Sequence, residues 1–162
     1  MSVRKFLSWT AVILWMAIIF YLSHQPAAES SELSRGITKV IIQTIEKVAP
    51  NIELDIRSLN HIVRKNAHFF AYLVLGVLVI NALRVSGVKG YRSIALALGI
   101  CILYAISDEV HQLFIPGRSC EVRDVIIDTA GASVGIMVYL VVGRVVGEEK
   151  MCRNLLRELV NR

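Results

Sequence analysis

The chain has 162 residues, 55% of them hydrophobic, and carries a net charge of +5. Its mean hydropathy is +0.58. Soluble domains are about 45–50% apolar, so this composition indicates a bilayer and one domain. The positive residues are scattered rather than gathered on one soluble unit, so membrane topology explains them better than a nucleic-acid partner, and none is expected. Cys101, Cys120 and Cys152 lie far apart with no C-x-x-C spacing, so neither a zinc module nor a disulfide framework is indicated.

Four stretches are apolar enough to span, at about residues 6–22, 67–85, 93–115 and 125–146. Crossing takes about 20 helical residues for about 30 Å of hydrocarbon, so each qualifies with little to spare. The first has Arg4 and Lys5 before it and "PAAES" after it, as a signal peptide would. It is read as a retained helix, because it is longer than an ordinary signal core and Trp9, Trp15 and Tyr21 resemble membrane anchors.

Between the first and second spans, "ITKVIIQTIEKV" places Ile37, Val40, Ile41, Thr44, Ile45 and Val48 at helical spacing, with charges opposite. At 12 residues it is too short to cross, so an interfacial helix is expected, ending at Pro50. A further helix start, with Ser58 as its N-cap, leads into the second span. "PGRSCEVRD" makes a tight turn between the third and fourth spans, which are therefore antiparallel neighbours. After Gly147 the chain mixes charge with Leu155, Leu156 and Leu159, as an amphipathic tail does. The fold expected is all-α: a polytopic four-transmembrane-helix bundle over 1–147, with an interfacial helix in the first outer loop and an amphipathic cytoplasmic tail, 148–162.

Lysine and arginine set the orientation. If the N-terminus is inside, the inner segments hold ten Lys/Arg against three acids, and the outer segments eight against seven. The positive-inside rule then places both termini in the cytoplasm.

That topology raises the question of "SDEVHQLFIPGRS", residues 107–119, where acids end a hydrophobic run. An ionised group near the bilayer centre costs about 2.5–3.5 kcal/mol, less toward the interface, so such groups need partners. Asp108, His111 and Gln112 share one face at i, i+3 and i+4, while Glu109 points about 100° away. In the fourth span Asp124 and Asp128 are i, i+4, and Gly131 and Gly135 carry that side onward as a close-packing step. In the second, Lys65, His68, Tyr72 and Gly76 run from polar to small. One outer pocket can therefore collect Lys65, His68, Tyr72, Asp108, Glu109, His111, Gln112, Arg118, Asp124 and Asp128 as ligand-binding residues.

"KNAHFFAYLVLG" at 65–76 and the stretch 107–132, "SDEVHQLFIPGRSCEVRDVIIDTAGA", resemble the two signature blocks of VanZ-like membrane proteins. "FYLSHQP", residues 20–26, resembles the S-x-Q-P ending of their first helix. The departures are His24, at a place often small and polar, and Cys120, where a small residue is expected. The resemblance implies a small multi-span bacterial envelope protein in the cytoplasmic membrane. It also implies a link to glycopeptide susceptibility, since the founding member is associated with low-level teicoplanin resistance.

Packing alone would explain one buried acid, but several ionisable groups at one depth point to function. His24, His61 and the cysteines are read as interfacial or core groups, and Arg64 and Lys65 could simply snorkel. His68, Asp108, Glu109, His111, Asp124 and Asp128 have the ligand types for a divalent metal, but no H-E-x-x-H or other dedicated spacing selects one. Ser107 lies off the His111 face, and no Gly-rich phosphate loop is present. Two function classes remain. In one, the pocket binds an anionic lipid headgroup or lipid-linked wall precursor through Arg118 and Lys65. In the other, an intramembrane enzyme uses His68 or His111 as acid or base, with Asp108 or Glu109 orienting it or holding metal. A transporter is disfavoured, because charges at one end leave no polar path across.

Overall fold

The structure, a computed structural model, describes residues 2–26, 36, 56–118 and 120–160. Four helices account for nearly all of them: α1 (Val3–Ser23), α2 (Ile56–Val85), α3 (Tyr91–Gln112) and α4 (Val122–Val160). Among the described residues there is no strand. Each helix contains a segment long and apolar enough to cross a membrane: Val3–Ser23, Lys65–Val85, Tyr91–Gln112 and Val122–Val145. Large side chains such as Phe6, Leu14, Leu103, Phe114, Ile126 and Met137 lie exposed around the bundle. Water would not tolerate so much contiguous apolar surface, whereas lipid favours it. The chain is a multi-pass membrane protein.

Helix ends follow from local chemistry. α2 stops where Gly87 takes φ 99°, a left-handed conformation that closes the last turn through Val88 N–H to Leu83 O at 3.0 Å. α3 ends at Gln112, earlier than the expected 115, because Pro116 disfavours helix in the residue before it and Gly117 turns with φ 76°. One sequence expectation changes here. Ser58 lies within α2 and is not its N-cap. The backbone of the tail is helical and runs on from the fourth span without interruption to Val160. The expected interfacial helix at 37–48 lies outside the described residues.

α2 is the hub: it packs most extensively on α4 and also meets α1 and α3. The α2–α4 seam is a backbone-to-backbone contact. A Cβ added at Gly131 would strike the carbonyl of Phe69, one at Gly135 that of Leu73, and one at Gly76 that of Ala132. Without a hydrophobic drive between helices in lipid, such close approach supplies the van der Waals contact that holds spans together. Around it lies a core of Tyr72, Leu75, Val79 and Ile80 from α2, Ala97, Cys101 and Ala105 from α3, and Ala132 and Ile136 from α4.

α1 contributes Val12 and Ile19 to that core and is otherwise tied on by hydrogen bonds. Trp9 Nε1 donates to Ser86 Oγ at 3.1 Å and Trp15 Nε1 to Ala71 O at 2.8 Å, while Tyr104 OH donates to Met16 O at 2.6 Å. Trp15 thus joins two helices in mid-span and is not an interfacial anchor. The exposed Tyr21 keeps the anchor's position. Tyr104→Phe keeps the ring and removes one interhelical bond. It is expected to lower stability by about 0.6–1 kcal/mol, read as a small drop in melting temperature in detergent.

Candidate functional site

The C-terminal ends of α1 and α3 and the starts of the second and fourth spans meet at one end of the bundle, which holds the acids. They enclose a cavity of about 60 Å³ lined by Lys65, His68, Gln112, Gly117, Arg118, Glu121, Asp124, Ile127 and Asp128. At about 15 Å³ per water it has room for about four.

Each helix supplies its polar groups at one height. From α2, Lys65 Nζ lies 3.1 Å from Asp124 Oδ1 and 3.6 Å from Glu121 Oε2, so it is held in an acidic pair and does not simply snorkel. One turn deeper, His68 Nδ1 stands 3.8 Å from Asp128 Oδ1. From α3, Asp108 is buried and its Oδ2 accepts from Ser23 Oγ at 2.8 Å and from Gln112 Nε2 at 3.3 Å. Asp108 Oδ1 and both oxygens of Asp128 are buried and accept no hydrogen bond. His68, Asp108 and Asp128 can each direct one ligand atom so that all lie within 4.8 Å of one another.

The remaining expected residues have other surroundings. Glu109 is buried on a different side, where its Oε2 accepts the Glu121 backbone N–H at 3.0 Å and so satisfies a donor at the approach to α4. His111 is not in the pocket. Its Nε2 lies 3.1 Å from His24 Nδ1, and its ring stacks on Phe20 at 4.3 Å. Helical rotation explains this: at about 100° per residue, Gln112 falls about 40° to one side of Asp108 and His111 about 60° to the other, toward α1. Tyr72 lies in the core, with its hydroxyl accepting and donating no hydrogen bond. Arg118 lines the pocket and also reaches α1: Nε donates to Gln25 O at 3.0 Å, Nη2 to Leu22 O at 3.4 Å, and Nη1 to Gln112 Oε1 at 3.0 Å.

Sequence reasoning did not single out Ser23, Glu121 or the pairing of His24. Ser23 is 1% exposed although it ends a span, and its hydroxyl orients Asp108. The only hint of it in the sequence was the polar ending "SHQP" after a charge-free run.

The VanZ/LLP1 family profile matches residues 8–143, which takes in the second and third spans, most of the first and fourth, and every pocket residue. The chain belongs to the VanZ/LLP1 family. No curated protein and no solved structure matches it. For this VanZ/LLP1 chain, the charge balance of the site is therefore the main guide to its chemistry. Asp108, Glu109, Glu121, Asp124 and Asp128 stand in or beside a pocket whose lining basic residues are Lys65, His68 and Arg118. Such a pocket attracts a cation, or an anion that arrives with one.

Proposed function

We propose that this VanZ/LLP1 chain is a cell-envelope protein whose acidic end faces outward and receives the phosphate-bearing headgroup of a membrane lipid or lipid-linked wall precursor. Altered susceptibility to teicoplanin-type glycopeptides follows from that binding. The observation that carries the reading is a small polar pocket, with Lys65 and Arg118 on its wall, at the level where all four spans end. Headgroups lie at that depth, and a guanidinium and an ammonium are the side chains that hold phosphate. The surrounding acids favour a headgroup that also carries an amine or a bound cation over a bare anion. The basic loops at the opposite end, with Arg84, Lys89 and Arg92, support an inward face there.

Lys65→Ala is the cleaner test, because Arg118 also holds α1. Protein purified in mild detergent is expected to retain a headgroup-bearing lipid detectable by mass spectrometry. Lys65→Ala should retain about tenfold less, equivalent to about 1.4 kcal/mol. Equal retention by the two proteins would count against headgroup binding.

A second reading, an intramembrane enzyme that modifies such a lipid, is favoured by the buried carboxylates that meet His68 at the pocket floor. There His68 would act as general base and Asp128 would orient it. His111, turned away toward α1, drops out of the catalytic candidates. Turnover would appear as a product in cell lipid extracts that is absent when the chain carries Asp108→Asn.

A further inference from the structure

The floor of the pocket differs from its rim. At the rim the Lys65 ammonium stands 3.1 Å from Asp124 Oδ1 and 3.6 Å from Glu121 Oε2, so both acids have a full cation beside them although Asp124 Oδ1 accepts no hydrogen bond. At the floor Asp128 is 0% exposed and neither of its oxygens accepts a hydrogen bond. Asp108 is divided. Ser23 and Gln112 both donate to Oδ2, which leaves Oδ1 buried and without a bond. Buried polar atoms are almost always satisfied, so three unsatisfied carboxylate oxygens around one point call for an explanation.

We propose that His68, Asp108 and Asp128 bind a divalent metal ion. Each comes from a different span, and each offers one ligand atom within 4.8 Å of the others. Around a tetrahedral zinc with bonds of about 2.0–2.1 Å, ligand atoms sit about 3.4 Å apart. His68 Nδ1 and Asp128 Oδ1 are already 3.8 Å apart, so small side-chain rotations close the set. The ion adds positive charge where His68 is the basic group 3.8 Å from Asp128, and it accounts for the open oxygens of the two buried carboxyls. Ser23 and Gln112 then act as the outer shell that fixes which Asp108 oxygen ligates. One imidazole with two carboxylates suits a first-row ion such as zinc, or the harder manganese, over calcium, which prefers oxygen alone. Three protein ligands leave positions open toward the cavity, where water or a phosphate oxygen completes the shell.

The inference stands on these residues and does not require that a lipid binds, so it is tested without added lipid. The full chain, purified in detergent, stripped with chelator and dialysed against zinc or manganese ions in turn, is desalted and its metal measured by mass spectrometry. The native chain is expected to hold about one ion, as three ligands from a single chain imply. Asp128→Asn and His68→Ala should fall to background while eluting as the same monodisperse species. His24→Ala and His111→Ala, which break the other histidine cluster, should keep the ion. X-ray absorption of the native protein needs no variant and should show a nitrogen and oxygen shell with imidazole scattering. An ion-free native chain, full loading of Asp128→Asn and His68→Ala, or a sulfur shell from Cys101 would overturn the proposal. A chain that binds metal but retains no headgroup would leave it standing and defeat the headgroup reading instead.

Discussion

Gly135→Leu is expected to abolish a stable bundle. A Cβ at this position would land on the Leu73 carbonyl, so the side chain cannot be accommodated by a rotamer change and the two backbones must part. Overpacking a core typically costs about 1–3 kcal/mol, and here the affected seam is the most extensive among the described residues, so the loss should be at the top of that range or beyond it. Gly131→Leu should behave alike, since its Cβ would meet the Phe69 carbonyl. Gly99→Leu is the control: no atom lies within 4 Å of a Cβ there, and α3 faces open space at that point. In detergent, gel filtration after heating should show early aggregation for the Gly131 and Gly135 variants and native elution for Gly99→Leu. Equal behaviour of all three would mean that close approach of α2 and α4 is not what holds the bundle.

The second large effect concerns Asp108 and separates its structural role from its chemical one. Asp108→Asn preserves shape, and its amide oxygen can still accept the Ser23 hydroxyl, so folding should be nearly unchanged. Asp108→Ala instead leaves Ser23 and Gln112 without their buried acceptor, at a cost of about 1–3 kcal/mol. If Asp108 serves only to pack α3 against α1, cells expressing Asp108→Asn should show the same glycopeptide-susceptibility shift that is proposed for the native chain, and Asp108→Ala should lose part of it. The site described above requires the reverse weighting: Asp108→Asn keeps the fold and removes the shift entirely. Melting temperature and drug susceptibility, measured on the same pair of variants, distinguish the two.

Much of this architecture was legible in the sequence because lipid makes the code simple. Long apolar runs gave the spans, and the i, i+4 spacing of Asp124 and Asp128, continued by Gly131 and Gly135, put acids and close-packing glycines on one side of α4. The short "PGRSCEVRD" connection made α3 and α4 neighbours, and matching depth brought Lys65 and His68 toward the same acids. Other features depend on how whole helices are rotated and placed, and no single helix encodes them. Periodicity put His111 on the Asp108 side, yet the position of α1 decides that it faces His24 and Phe20. Ser23 reads as the end of a greasy helix until α3 is set beside it, and Trp15 reads as an anchor until Ala71 O is found opposite. A long cation at a span's end has two ordinary fates, snorkelling or pairing, and only the placement of Asp124 chose for Lys65.

The central claim, that the acidic end opens away from the cytoplasm, can be read from the chain's own cysteines. Cys120 is exposed on the turn before α4, whereas Cys101 is buried in the core. In intact cells a membrane-impermeant maleimide is expected to label the native chain, and Cys120→Ser should abolish that labelling without any need to permeabilise. Labelling of Cys120 only after the membrane is opened would put the "PGRS" corner in the cytosol and contradict the account.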